Sequence, residues 1–337
     1  MKQGLIHDGA IGRVRRVPRI SPASSGLRPG AFRKGIRPWR IFVLLSVTFA
    51  MTGCRSGERE PGGEALAEVR LGAGIPYALS AKSPIEGGAM FTASVAGWET
   101  SQAVDYYSDT AWYSSSLIEA SPNPVAISLE PRQYYSPDNA VRTYIKAWHP
   151  EACPESGIVR FENDSATLDV MLTPGAAVGS KLDAEGKHLQ FEHLTTQLKF
   201  VVQADFSLDP GTTLRYIRIK GASIPVGIDL SDNRLLSDPA GADGLEVPGI
   251  GMQDTIRTSP EAVGRPLMVE PMAGNTVALD VATSGASFEN VTATVNDTDF
   301  RPGTAYTITL TFRQGGISLT AAITPWKEED GWGDIIM

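Results

Sequence analysis

Short segments in which apolar and polar side chains alternate recur along this chain, and they constrain its fold more than any other feature. Alternation with a period of two places the apolar side chains on one face of a β-strand. The clearest such segments are residues 125–129, 141–148, 198–206, 277–281, 306–312 and 317–323. The last two are separated by Gln314-Gly315-Gly316, a glycine-rich turn typical of a hairpin. No window of a dozen residues keeps a helical period, so the sequence predicts an all-β protein.

Length and turn content indicate that these strands form more than one β-sandwich. A chain of 337 residues is long for one average domain, and its 34 glycines and 23 prolines supply many turns. Residues 173–187 are small, polar and glycine-rich between two strand-like segments, which is typical of a domain boundary. We therefore predict β-sandwich domains at residues 65–180 and 187–337.

Charge is distributed unevenly along the chain. Ten of the 30 lysines and arginines lie in residues 1–40 beside a single acidic residue, Asp8, so the remaining residues carry 20 basic and 37 acidic side chains. Such an acidic surplus repels phosphate groups. It argues against binding of nucleic acid or anionic lipid by the mature protein.

The N-terminal region has the features of an export signal. The uncharged apolar run of residues 41–53 follows a basic stretch and is too short to cross a bilayer, which needs about 20 residues. Residues 1–53 are therefore predicted to be a disordered basic extension followed by a cleaved signal peptide. Residues 54–64 are polar, lack an apolar anchor and fit a flexible tether.

The signal ends at a cysteine that suggests lipid attachment. Met51-Thr52-Gly53-Cys54 resembles the bacterial lipobox, although leucine is usual at the position of Met51. The resemblance implies that Cys54 becomes the N terminus and carries fatty acyl chains such as palmitate. Stable anchoring takes about two or three such chains. The alternative is that Cys54 is an unmodified thiol in an ordinary signal peptide.

Four segments of the mature chain carry a resemblance to a known family. They are the turn and strand ending in Lys146-Ala147-Trp148-His149-Pro150, the stretch from Phe191-Glu192-His193 to Leu198, the strand of residues 214–221, and the run from Arg301-Pro302-Gly303 to Pro325-Trp326. In this order they resemble the fimbrillin-like (Mfa-like) lipoproteins of the Bacteroidales cell envelope, over most of residues 65–337. The resemblance implies two tandem transthyretin-like Greek-key β-sandwich domains in a fimbrial subunit or accessory protein at the cell outer membrane.

The same resemblance implies a route of assembly that supports adhesion. In polymerising relatives a protease removes an N-terminal strand, commonly after an arginine, and the groove accepts a strand from the next subunit. Arg70 is the arginine that we carry over, because apolar residues alternate in the segment before it; it could also be an exposed strand arginine. Residues 331–337 could be a donor strand or could complete the last sheet. The implied partners are other fimbrial subunits or further copies of this chain. The lipid on Cys54 would attach the protein to the outer membrane.

An aromatic and acidic cluster supports an alternative function, a monomeric lipoprotein that binds a glycan or a host protein. Tyr107, Trp112 and Tyr113 lie close to Asp105, and flat aromatic rings pack on the apolar faces of sugars. The same side chains could line a sandwich core instead. Residues 235–266, rich in glycine, proline and aspartate, are predicted to form a long loop that could serve the same purpose.

Catalysis has little support in the sequence. His193 beside Glu192 could suggest acid–base or metal chemistry, but His149 and His188 have no ligand-like spacing with it. No Cys-x-x-Cys, His-Glu-x-x-His or Gly-x-Ser-x-Gly motif occurs. We therefore interpret His193 as structural and predict no catalytic residue, no metal and no cofactor.

Overall fold

The computed structural model of the chain describes residues 66–75, 90–251 and 255–324. Within these residues the regular secondary structure consists of β-strands alone. The prediction of an all-β protein is therefore confirmed. The signal peptide, Cys54, the tether and residues 331–337 lie outside the described residues, so what the sequence predicts for them stays a prediction. None of the described residues belongs to a helix long and apolar enough to cross a membrane.

The strands are numbered in chain order. Those of the N-terminal half are β1 (Leu71–Gly74), β2 (Met90–Thr100), β3 (Trp112–Glu119), β4 (Val125–Ile127), β5 (Arg142–His149), β6 (Pro154–Glu155), β7 (Ile158–Arg160), β8 (Met171–Leu172), β9 (Ala177–Gly179), β10 (Lys187–Gln190) and β11 (Glu192–His193). Those of the C-terminal half are β12 (Thr196–Ala204), β13 (Leu214–Ile219), β14 (Ser223–Asp229), β15 (Arg234–Pro239), β16 (Leu245–Glu246), β17 (Glu261–Val269), β18 (Thr276–Thr283), β19 (Ser287–Thr294), β20 (Ala305–Arg313) and β21 (Gly316–Thr324).

A six-stranded sheet forms the centre of the N-terminal half, and we call it the central sheet. Its strand order is β11-β8-β5-β2-β3, with β9 also paired to β5. In the register of β2 and β5, Ala96 lies opposite Lys146 and Gly97 lies opposite Ile145. Successive residues of a strand face opposite sides of the sheet, and both sides of β2 and β5 are buried. The central sheet therefore needs a covering layer on each face.

Two smaller sheets supply these layers. One face of the central sheet, with Val95 and Ile145, packs in a core cluster with Leu71 of the sheet β10-β1-β4. The other face, with Trp148, packs in a second cluster with Ile228 of the sheet β15-β14-β7-β6. Because β14 and β15 belong to the C-terminal half, a hairpin of that half covers a sheet of the N-terminal half.

The C-terminal half also contains a sandwich of its own. The sheets β17-β12-β20-β21 and β16-β13-β18-β19 enclose a third core cluster. In β12, Leu198, Phe200 and Val202 are 0, 2 and 3% exposed, so every second side chain points into this core. The alternation in the sequence therefore identifies the buried face of this strand.

The hairpin of β14 and β15 is closed by residues 230–233, whose sequence suits a turn. The carboxylate of Asp229 accepts hydrogen bonds from the backbone N–H groups of Ser231 and Asp232. Asn233 takes the left-handed conformation, with φ of 53°, which asparagine tolerates better than most residues. These local interactions fix the position of the Asn233 side chain at the end of the turn.

Further strand predictions are confirmed. The alternating residues 306–312 and 317–323 form β20 and β21, whose turn pairs Arg313 with Gly316. Gly315 in that turn has φ of 69°, the conformation for which glycine was expected. The alternation in residues 141–148 corresponds to β5, although both of its faces are buried, including the face that carries Lys146.

Two predictions made from local sequence pattern or composition are wrong. The predicted strand 198–206 ends at Ala204, and Phe206 lies beyond it in a turn, where it is 95% exposed. Residues 235–266 do not form one loop, because β15, β16 and the first part of β17 lie in this range. Their backbone groups pair with β14, β13 and β12, which satisfies hydrogen bonds that a long loop would leave to water.

The glycine-rich stretch at residues 173–187 is not a free linker. It contains β9, which pairs with β5 of the central sheet. The division into domains at 65–180 and 187–337 stays a prediction.

Close packing at Gly97 provides a test of the central sheet. A Cβ atom at this position would overlap the indole ring of Trp112, so Gly97→Ala forces the indole out of its site and should lower the free energy of unfolding by about 1–3 kcal/mol. Urea denaturation measures this quantity. Gly175→Ala is the matched control, because no atom lies within 4 Å of its added Cβ; equal losses in both variants would contradict the packing described.

Candidate strand-exchange site

Residues 67–75 run through the N-terminal half as a strand inserted between two others. β1 pairs in parallel with β10 and antiparallel with β4. Before β1, the N–H of Val69 donates to the carbonyl of Gln133 at 2.9 Å, and after it the N–H of Ile75 donates to the carbonyl of Ser121 at 2.9 Å. The segment is thus held by main-chain hydrogen bonds on both sides.

Every second side chain of this segment fills the core beneath the central sheet. Val69, Leu71, Ala73 and Ile75 are 5, 4, 0 and 2% exposed and belong to one core cluster. Burying a Val, Leu or Ile side chain contributes about 1.5–3 kcal/mol, so the three larger ones contribute about 5–9 kcal/mol. A typical domain has a free energy of unfolding of about 5–15 kcal/mol. Removal of the segment would therefore leave a core that needs another strand.

The positions between Leu71, Ala73 and Ile75 are glycines, which allow close contact on the other face of the strand. A Cβ atom at Gly72 would lie 2.9 Å from Nδ1 of His188, and one at Gly74 would lie 2.9 Å from the carbonyl oxygen of Ser121. The strand is therefore enclosed on both faces. Sequence reasoning missed residues 71–75 as part of the site, although their alternation of apolar residues with glycine is a usable signal.

Arg70 immediately precedes β1, and its side chain is 75% exposed. Its Nε is 3.5 Å from a carboxylate oxygen of Glu68. Together with Arg132 and Tyr134, these two residues line a cleft at the surface. The apolar alternation before Arg70 predicts a buried strand on that side, but most of the buried side chains follow the arginine, since Leu71, Ala73 and Ile75 come after it.

The aromatic residues proposed as a ligand surface are not brought together on one exposed face. Trp112 is 3% exposed and packs against Gly97 in the core. Tyr113 is partly buried, and its hydroxyl lies 2.8 Å from Oγ of Ser94. Tyr107 is 45% exposed. A sugar could reach the ring of Tyr107, but the ring of Trp112 is closed off by the protein.

Tyr107 also takes part in a contact between the two halves of the chain. Its hydroxyl donates to the carboxylate of Asp229 at 3.3 Å. The guanidinium of Arg234 lies 3.3 Å from the same carboxylate. The tyrosine therefore helps to hold the β14–β15 hairpin against the N-terminal half.

His193 belongs to a buried polar cluster with a partner that the sequence did not suggest. Its Nδ1 is 2.7 Å from Oδ2 of Asp169, and the two side chains are 3 and 15% exposed. The hydroxyl of Thr195 donates to the other carboxylate oxygen at 2.9 Å. Glu192, the neighbour in sequence, is exposed. No group of three or more His, Cys, Asp or Glu residues in the described part of the chain is placed to hold a metal ion.

The surroundings of Asp169 favour its charged form. Burial alone raises the pKa of the carboxyl group, but the charge and hydrogen bond of His193 and the hydrogen bond of Thr195 outweigh burial. The pKa of Asp169 therefore lies below its ordinary value of 3.8. The cluster is a structural contact that stabilises the folded chain while Asp169 is ionised.

Comparison with known sequences decides the family. The family model for fimbrillin-like proteins matches residues 93–326, which is more than half of the chain. The chain belongs to the fimbrillin-like family. Fimbrillin-like proteins are structural components of fimbriae and not enzymes. The matched range begins after β1, so it does not include Arg70.

Solved structures resemble this fimbrillin-like protein at low sequence identity. A candidate cell adhesion protein from Bacteroides ovatus matches 79% of this chain and 100% of its own, with a TM-score of 0.50 and 12% identity. One from Bacteroides uniformis matches 77% and 98%, with a TM-score of 0.49 and 16% identity. The tip fimbrial protein Mfa3 from Porphyromonas gingivalis matches 77% and 98%, with a TM-score of 0.38 and 9% identity. The likeness to the B. ovatus protein shows a shared fold. No curated protein sequence matches the chain.

The lowered pKa of Asp169 predicts how stability depends on pH. A carboxyl group whose pKa is lower in the folded than in the unfolded chain stabilises the fold above its unfolded pKa, and this contribution is lost as the pH falls through the folded pKa. Asp169→Asn should therefore lower the free energy of unfolding at neutral pH by about 3 kcal/mol, because it breaks a buried pair. The difference from the unmodified protein should shrink below about pH 4.

Urea denaturation at a series of pH values measures this difference. Asp164→Asn, which removes an exposed carboxylate from the same part of the chain, is the control and should have little effect. A difference between Asp169→Asn and the unmodified protein that stays constant down to the lowest pH would contradict the lowered pKa of Asp169.

Proposed function

We propose that this protein is a surface-anchored fimbrial subunit that assembles by exchange of a β-strand and supports adhesion. The observation that carries the proposal is the insertion of residues 69–75 between β4 and β10, with four side chains in the core. A strand held in this way can be replaced by a strand of another subunit that makes the same main-chain hydrogen bonds and fills the same apolar positions. Its partners are then other fimbrial subunits or further copies of this chain.

Cleavage after Arg70 is the proposed trigger of exchange. It would separate Val69 from β1 and leave Leu71 at the new N terminus. β1 would lose its connection to the preceding chain and the burial of Val69, which contributes about 1.5–3 kcal/mol. The remaining short strand could then be displaced by a longer donor strand.

The groove also sets conditions on the donor strand. Its side chains must be apolar at the positions of Leu71, Ala73 and Ile75, and they must be small at the positions of Gly72 and Gly74, where a Cβ would approach neighbouring atoms to 2.9 Å. Residues 331–337 are the donor candidate that the sequence offers. If Gly331 and Gly333 took the positions of the two glycines, Asp330 and Asp334 would fall at the apolar positions of Leu71 and Ile75, so this register does not meet the conditions.

The anchoring and domain assignments complete this proposal. Cys54 carries acyl chains that hold the protein in the outer membrane, and residues 54–64 connect this anchor to the folded part. The predicted domains at residues 65–180 and 187–337 are transthyretin-like Greek-key sandwiches, as the family resemblance implies. This order places the candidate processing residue Arg70 close to the membrane tether.

The alternative function, a monomeric lipoprotein that binds a glycan or host protein, has less support. It relied on Tyr107, Trp112 and Tyr113 acting together, and Trp112 is in the core. Tyr107 alone offers a single exposed ring, and its hydroxyl is engaged by Asp229.

Processing and assembly are tested together on protein extracted from its native envelope. Unboiled samples should show a ladder of high-mass species that collapses on boiling, and N-terminal peptide mapping should find a terminus at Leu71. Arg70→Ala should remove both the ladder and the new terminus. Arg132→Ala is the matched control, because Arg132 is an exposed arginine of the same cleft and should leave assembly unchanged.

A single species that begins at Cys54 and forms no ladder would overturn the polymerising role. It would instead indicate an anchor, a cap or a monomeric binding protein. If the ladder persists in Arg70→Ala, strand exchange is still supported, but cleavage must occur at another residue.

The lipid anchor has a separate test. Cys54→Ser removes the thiol that accepts the acyl chains, so the protein should move from the membrane fraction to the soluble fraction, because the anchor depends on those chains. Cys153→Ser keeps the anchor and should remain in the membrane fraction. Membrane attachment of Cys54→Ser equal to that of the unmodified protein would refute lipidation at this residue.

A further inference from the structure

Lys146 is a buried lysine in the middle of the central sheet. Lys146 is 2% exposed and is one of the largest buried side chains among the residues that the structure describes. It lies on β5 opposite Ala96 of β2. Its side chain faces the layer formed by the β14–β15 hairpin, because it contacts the turn of that hairpin. A charged group in such a place requires close partners.

The partners of Lys146 bring a primary amine against a side-chain amide. Nζ donates to the carbonyl of Leu230 and lies 2.6 Å from Oδ1 of Asn233. It also lies 4.4 Å from the centre of the Tyr106 ring. Because a C=O bond is about 1.2 Å long, Cγ of Asn233 lies about 3–4 Å from Nζ. This separation is close to that of reacting atoms in a near-attack geometry.

The surroundings of the amine favour its nucleophilic form. Burial lowers the pKa of Lys146 to about 8, against the opposing effect of the Asp229 carboxylate. About one-tenth of the amine is then unprotonated at pH 7. A neutral lysine amine in a desolvated site is a nucleophile that attacks carbonyl carbon.

A carboxylate is available to move the proton. Asp229 is 3% exposed and close enough to Lys146 to affect its charge. It is held by the hydroxyl of Tyr107 and by the backbone N–H groups of the turn that ends in Asn233. A carboxylate near the amine can accept a proton from the attacking nitrogen and deliver it to the leaving nitrogen, directly or through one water.

We propose that Lys146 and Asn233 react to form an intramolecular amide cross-link. Nζ of Lys146 attacks Cγ of Asn233, so that an N–C bond forms and the bond from Cγ to Nδ2 breaks. Asp229 transfers one proton from the attacking nitrogen to the departing nitrogen, and ammonia leaves. No oxidant, reductant or other reactant is required, and the product is lighter by one ammonia, about 17 Da.

The cross-link would join two segments that lie far apart in the sequence. Lys146 and Asn233 are 87 positions apart, and they connect β5 to the hairpin that covers the second face of the central sheet. A covalent link of this kind prevents the hairpin from separating from the sheet and restricts the unfolded chain. In a fimbrial subunit it would keep the two halves together under tension.

Tryptic peptide mapping of the reduced and denatured full chain tests the cross-link. Trypsin should fail to cleave at Lys146, and residues 143–160 should be found joined to residues 221–234, with a mass lower than their sum by one ammonia (about 17 Da). Lys146→Arg should yield the separate peptides, since the guanidinium is not a nucleophile at this pH. Asp229→Asn should slow linkage by about 100-fold, the effect of a lost proton-transfer group.

Two results would overturn the proposal. The first is cleavage at Lys146 and separate peptides from the folded unmodified protein, a result that does not depend on any variant folding. The second is loss of ammonia at Asn233 in the unmodified protein without a joined peptide, because cyclisation of Asn233 onto its own backbone also releases ammonia but joins no second peptide. Asn290→Ala is the matched control, since Asn290 shares the left-handed conformation, with φ of 53°, and its replacement should leave the linked peptide in place.

Discussion

Burial of the central sheet on both faces is the constraint on which the rest of the N-terminal half depends. A β-strand sends successive side chains to opposite sides, and β2 and β5 carry buried residues on both. Each face must therefore be covered by other strands. The sheet that contains β1 covers one face and the sheet that contains the β14–β15 hairpin covers the other.

The two covers are held by different interactions, and this difference connects the fold to the proposed function. β1 is retained by main-chain hydrogen bonds and by the side chains of Val69, Leu71, Ala73 and Ile75. Another strand can reproduce these interactions, which is the basis of the proposed exchange. The hairpin packs through Ile228 and in addition makes specific polar contacts with Tyr107 and Lys146, which no generic strand supplies. One cover thus suits assembly between subunits, and the other suits permanent closure.

The polar groups that matter most were the hardest to interpret from sequence. The alternation in residues 141–148 predicts a strand that includes Lys146, but the hairpin that buries this lysine comes from the other half of the chain. Nothing near His193 in the sequence points to Asp169 as its partner, since the adjacent acidic residue is Glu192. The aromatic and acidic neighbours of Trp112 suggest ligand binding, whereas Gly97 on the adjacent strand provides the space that buries it.

The sequence by itself determined the all-β class, the strands β5, β12, β18, β20 and β21, and the turn at Gly315, because period-two alternation and glycine conformation are local properties. The family resemblance added the expected assembly site at Arg70. Only the tertiary structure decided that the buried strand follows Arg70, that Trp112 is in the core, and that Lys146 meets Asn233. These contacts depend on which strands become neighbours, and pairing between distant segments is set by packing of the whole chain and not by local pattern.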